Sequence, residues 1–162
     1  MAFRVGYVSA DFGDNHPVTH LMRGVWRPHA AVRKTATHTA KGGNHNGCGG
    51  FAVFRYHIGG DRPRPTATAQ HANDGGTDIT DRDLTGLDDV SAARLVAADR
   101  LHALVDLNGF TNGGRPEIFA LRPAALQLGY LGWPATSGSE RAYDWQLMDT
   151  VLAPPDAPAR LE

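Results

Sequence analysis

A chain of 162 residues and 17.4 kDa is the size of one domain, long enough to bury roughly 70% of its unfolded surface. Lys plus Arg number 16 against 17 Asp plus Glu, so no whole-protein field favours nucleic acid or an anionic membrane. The single cysteine, Cys48, rules out an internal disulfide. With no charged-then-apolar leader and no apolar run near the ~20 residues that span a bilayer, the chain is expected to be intracellular, cytoplasmic with the nucleus as an alternative.

In chain order, the apolar run Phe3 to Ser9 predicts a first strand with Val5, Tyr7 and Val8 buried. A helix is expected from Pro17, whose fixed φ and missing N–H suit a first helical position, to about Trp26, with Leu21, Met22 and Val25 at helical spacing. Residues 28 to 50, rich in Thr, Ala, Gly and His, lose periodicity and predict a long exposed loop. Strand periodicity returns at Phe51 to Ile58, a Pro- and Gly-bearing loop spans Gly59 to Gly76, and a short strand is expected near Asp78 to Leu84.

Further along, Thr85 and Asp88 have capping-box spacing ahead of an Ala-rich helix, Asp89 to Arg100. Leu101 to Leu107 is a buried-strand run ended by Asn108-Gly109, and Thr111 to Leu121 predicts a short helix stopped by Pro123. Leu126 to Leu131 and Tyr143 to Met148 complete the strands. Strands alternating with helices imply an α/β, Rossmann-like fold, a mostly parallel sheet with helices on both faces.

Candidate site residues gather where strands hand over to loops, which is where open α/β sheets place ligands. Asp11 ends the first strand and His16 stands just before Pro17, at the mouth of the first helix. The positive end of a helix disfavours imidazolium, so a histidine there is suited to exchange hydrogen bonds with a ligand, or with backbone in a purely structural role. Asp11 reads either as a base or as a turn residue accepting local N–H groups. His16 and His20 are four apart, but Pro17 stands where a zincin helix needs Glu, which argues against a metal. His29, His38, His45, Cys48 and His57 match no zinc spacing, and the chain has no G-x-G-x-x-G, no P-loop and no G-x-S-x-G elbow. Trp133, between Gly132 and Pro134, is either a core aromatic or a stacking surface.

Five ordered motifs, Arg4 to Gly13, His16 to Met22, Leu104 to Thr111, Phe119 to Ala124 and Leu131 to Gly138, resemble the first half of the catalytic region of O-GlcNAc transferases. The likeness covers about residues 3 to 24 and 77 to 156, with a fainter echo at 51 to 58. The resemblance implies one lobe of a GT-B glycosyltransferase that moves N-acetylglucosamine from UDP-GlcNAc to protein Ser or Thr hydroxyls with inversion and without a metal or other cofactor. It implies His16 as the cleft histidine, Asp11 as candidate base, Pro17 and His20 beside them, and Leu131, Gly132 and Pro134 around the sugar. Backbone would approach the donor where Gly132 lacks a Cβ. Spindly-type O-fucosyltransferases share the architecture, and a non-catalytic interaction module is the reading from another class. The second lobe, with its key lysine, and the usual tetratricopeptide repeats are not expected within these residues, so the chain alone is expected to be inactive. Asp14 looks like an extra residue between Gly13 and Asn15, and residues 28 to 50 differ from the family's usual connection.

Overall fold

The computed structural model describes residues 2–13, 16–38, 49–59, 79–135 and 137–154. Nine elements follow one another: β1 (Ala2–Ser9), α1 (Pro17–His38), β2 (Gly49–His57), β3 (Ile79–Asp83), α2 (Asp89–Ala98), β4 (Ala103–Asp106), α3 (Pro116–Ala120), β5 (Leu126–Tyr130) and β6 (Trp145–Leu147). The six strands form one sheet in the order β3-β2-β1-β4-β5-β6, and every neighbouring pair runs parallel. All carboxyl ends therefore emerge on one edge, and strand order reverses between β1 and β4.

Alternate residues of the strands feed two cores. Val5 and Tyr7 of β1, Val53 of β2 and Val105 of β4 pack with Val18, Met22 and Trp26 of α1 on one face. On the other, Val8, Phe54, Tyr56 and Leu104 meet Ala92, Ala93 and Val96 of α2 and Ile118 and Phe119 of α3. Burial on both faces is what a parallel sheet requires, and it explains why these strands read as apolar runs. The predicted α/β class and parallel sheet stand.

Two local expectations are corrected. Residues 28 to 38 are not loop: α1 continues through Pro28 to His38, because Ala30, Ala31, Arg33, Lys34 and Ala36 favour helix even where hydrophobic periodicity has ended. Likewise Gly49 and Gly50 already belong to β2. The cap of α2 is Asp88, whose carboxylate accepts the Ser91 N–H at 2.8 Å; Thr85 instead donates its N–H to Asp83. The rest of the expected 28–50 loop (39–48), the 60–76 portion of the second loop, Asp14 and Asn15 lie outside the described residues.

Candidate functional site

Ser9 closes β1 and Asp106 closes β4, so the segments after them leave the sheet side by side at its carboxyl edge, where the strand order reverses. Crevices at such switch points are where open α/β sheets bind ligands. Asn108 fills that position. Its side-chain oxygen accepts the Ser9 hydroxyl and the Ala10 N–H, both at 2.8 Å. Its amide nitrogen donates to the Asp11 carboxylate at 2.9 Å and to Thr111 Oγ1 at 3.1 Å. Asn108, Asp106 and Ser9 are all buried, and a buried amide whose donors and acceptors are all engaged is rigid.

Asp11 is fixed further by its own N–H, which donates to Ser9 Oγ, and by its carbonyl, which accepts from Thr19 Oγ1 of α1. Its other carboxylate oxygen lies 3.8 Å from His16 Nε2. His16 caps α1: its N–H donates to the Gly13 carbonyl, and its Nδ1 accepts the Val18 N–H at 3.3 Å. With Nδ1 engaged as acceptor, the proton of a neutral ring sits on Nε2, facing Asp11. The side chain of His16 remains 43% exposed, open to a ligand. Pro17 is the first residue of α1, as expected. His20 stands one turn along, exposed, with its N–H donating to the His16 carbonyl, and its side chain takes no part in the cluster.

The second predicted half-site comes from the turn after β5. Leu131 has φ +66°, and the Gly132 N–H donates back to the Tyr130 carbonyl at 3.0 Å. A non-glycine residue held this way is strained by about 1–3 kcal/mol, and such strain collects at functional sites. At Gly132 a Cβ would run into the Leu107 carbonyl and the Asn108 Cα, so the missing side chain admits the backbone that follows β4. Gly109, at φ +55°, lies against the Cβ of Trp133 in the same way. Contacts thus run from Gly132 and Trp133 through Gly109 and Asn108 to Asp11 and His16, and the two segments, far apart in sequence, meet at one edge. Pro134 is exposed there, and Trp133 packs edge-on to Phe110 with ring centroids 5.6 Å apart; it is neither core nor free.

Asn108, Ser9 and Thr111 fall within the motifs Arg4 to Gly13 and Leu104 to Thr111, but the sequence assigns none of them a site role. The only signal was an Asn-Gly pair closing an apolar strand, which also fits an ordinary turn. Among the described residues no three His, Cys, Asp or Glu side chains gather as a metal site, and no helix is long and apolar enough to cross a membrane.

A doubly wound, all-parallel lobe with a polar cluster at its switch point defines the class: a Rossmann-like lobe. Comparison with known proteins narrows it. The model of Glycosyl transferase family 41 matches residues 51–160, and the chain belongs to that family. It is 34% identical over 152 residues to the UDP-N-acetylglucosamine--peptide N-acetylglucosaminyltransferase of Caenorhabditis elegans, a match spanning 93% of this chain and 11% of the relative. With a probable enzyme of that name from Oryza sativa subsp. japonica, SPINDLY, it shares 36% identity over 46% of this chain and 8% of the relative. A solved mutant of Thermobaculum terrenum O-GlcNAc transferase superposes with a TM-score of 0.67 at 27% identity, covering 95% of this chain and 25% of that one. The chain thus spans about a tenth of these curated relatives and a quarter of the solved one.

Proposed function

We propose that this chain is the first lobe of a protein O-GlcNAc transferase, contributing the edge where N-acetylglucosamine passes from UDP-GlcNAc to a Ser or Thr hydroxyl. The observation that carries it is family membership joined to the meeting of Asp11, His16, Asn108 and the 131–134 turn at the switch point. The acceptor oxygen attacks the anomeric carbon opposite the leaving group; the bond to the diphosphate breaks with its electron pair going to UDP, and configuration inverts. The hydroxyl proton goes to Asp11, whose carboxylate has lone pairs to accept it, while His16, with Nδ1 turned to the Val18 N–H, offers the Nε2–H as a donor. Leu131, Gly132 and Pro134 wall the sugar. No metal or other cofactor takes part, and the enzyme works in the cytoplasm. Similarity across 93% of the chain to the C. elegans enzyme, whose name specifies UDP-N-acetylglucosamine, supports this donor.

Residues 9–20, 106–113 and 131–138 contain no Lys or Arg. A departing diphosphate needs cationic or N–H donors, a large share of the catalytic effect, and this reading assigns the cationic ones to a second lobe. The purified 162-residue chain is therefore expected to show no transfer of radiolabelled N-acetylglucosamine to peptide and only weak UDP-GlcNAc binding; transfer at an ordinary enzymatic rate would overturn this placement of the nucleotide site. Within a two-lobe enzyme, His16→Ala is expected to lower turnover at least about tenfold while costing about 0.5–1 kcal/mol of stability for the lost cap. Unchanged turnover would reduce His16 to a helix cap.

A further inference from the structure

The two halves of the edge site are tied to one buried carboxylate that no ligand role claims. Asp106, the last residue of β4, uses Oδ1 to accept the N–H groups of both Asn108 and Gly109 at 2.9 Å. Its Oδ2 accepts the phenol of Tyr143 at 2.5 Å. Tyr143 reaches in from the segment before β6 and stacks on Phe119 of α3, ring centroids 5.2 Å apart. Asn108 and Gly109 are the residues through which the halves touch: Asn108 grips Ser9, Ala10 and Asp11, and Gly109 supports Trp133.

We propose that Asp106, held by Tyr143, is a positioning residue for the transfer reaction: its carboxylate fixes the 106–109 turn and so sets the spacing between the Asp11–His16 half and the 131–134 half. The proposal rests on the glycosyltransferase reading of the edge. An Asn-Gly turn with Gly109 at φ +55° has many accessible conformations, and two N–H bonds to a single buried anion select one of them. The Asp106 side chain is buried, and the Tyr143 hydroxyl on Oδ2 keeps that carboxylate satisfied and in place. A reacting group displaced by about an ångström loses much of its orientation advantage, which gives a residue that touches no substrate a role in the rate.

The test is amide hydrogen exchange and NMR on the 162-residue chain and its Tyr143→Phe and Asp106→Asn variants, alone and with millimolar UDP-GlcNAc. In Tyr143→Phe the Asn108 and Gly109 amides should exchange at least about tenfold faster while the Tyr7 and Val105 amides of the ladder hold within about twofold, the mark of a local opening. Asp106→Asn should show the same pattern at about threefold, a carbonyl oxygen being a weaker acceptor than a carboxylate. Donor-induced shifts at the Asn108 side-chain amide and the Trp133 indole should fall together with the local protection. Acceleration of all amides in parallel would make Tyr143 a general stabiliser and overturn the proposal, as would unchanged exchange, or unchanged donor shifts beside a loosened turn. Absence of donor shifts in the unaltered chain, with the exchange pattern as expected, would instead overturn the donor-site reading and with it the catalytic relevance of the relay.

Discussion

At the scale of single residues, a buried ionic cluster lies under α1 beside the edge, where His57 pairs with Ser9 and packs against Phe12. Arg55 grips Asp81 through two bonds of 2.8 Å, His57 Nε2 meets the same carboxylate at 2.8 Å, and the guanidinium sits 5.0 Å from the Trp26 ring. Burial pushes the Asp81 carboxyl up, but the bonds from His57 and Arg55 outweigh it and hold it below the usual carboxylate range. A depressed carboxylate gives stability that is present above its unfolded value, about 3.9, and lost as pH falls through the lower folded value. Asp81→Asn replaces the buried carboxylate held by both Arg55 and His57 with a neutral amide and should lower stability by about 3 kcal/mol in urea denaturation at pH 7. A second pH limb belongs to His29, stacked on Phe51 at 4.7 Å with its Nδ1 3.2 Å from the Tyr7 hydroxyl. Burial lowers its pKa, so the unfolded chain binds the proton first. Stability from His29 is full above about pH 6.5 and declines below it. Denaturation midpoints between pH 7.5 and 5.5 should therefore fall less steeply in His29→Gln than in the unaltered chain.

At the scale of elements, the helix ends show where local geometry costs stability. Arg100 follows the cap of α2 at φ +49°, and Arg122 follows the cap of α3 at φ +54°. Both are left-handed positions where glycine is favoured. Arg100 is exposed, and Arg100→Gly should stabilise by about 0.5–1 kcal/mol, raising the melting temperature by about 1–4 °C. Arg122→Gly should not, because Arg122 Nη2 donates to both oxygens of Asp144 at 3.0 Å, and Asp144 in turn accepts the Gln127 N–H at 2.7 Å. That pair ties the end of α3 to the start of β5 and the approach to β6, so its loss offsets the relief of strain. Calorimetry on the two variants separates backbone strain from side-chain bonding.

At the scale of the molecule, the two faces of the sheet are unequally covered among the described residues. Leu128 and Tyr130 of β5 pair in register with Trp145 and Leu147 of β6, and that row faces the same side as α1. Trp145 is 68% exposed and Leu147 45%. Exposed apolar surface beside an edge strand promotes association. Trp145→Lys should reduce concentration-dependent self-association in sedimentation while leaving the melting temperature within about 2 °C, since so exposed a side chain contributes little to the core. A melting temperature lowered by much more would place Trp145 in the fold itself.

The parallel sheet was legible in the chain because strands buried on both faces must be written as apolar runs, Val5-Gly6-Tyr7-Val8 and Ala103-Leu104-Val105, and because Pro17 and the Asp88 region mark helix starts in local sequence. The placement of Asp11 and His16 at the mouth of α1 was legible for the same reason, being set by residues within one helical turn. The extent of α1 was not, since helix propensity and hydrophobic periodicity disagree after Trp26. Nor was the role of Asn108. Its partners Ser9 and Ala10 lie 99 and 98 positions away, and only the order β3-β2-β1-β4-β5-β6 brings the ends of β1 and β4 together. Local propensities are short-ranged and can be read along the chain; a buried amide's choice of partners is made by which strands become neighbours, and only the tertiary structure decided that.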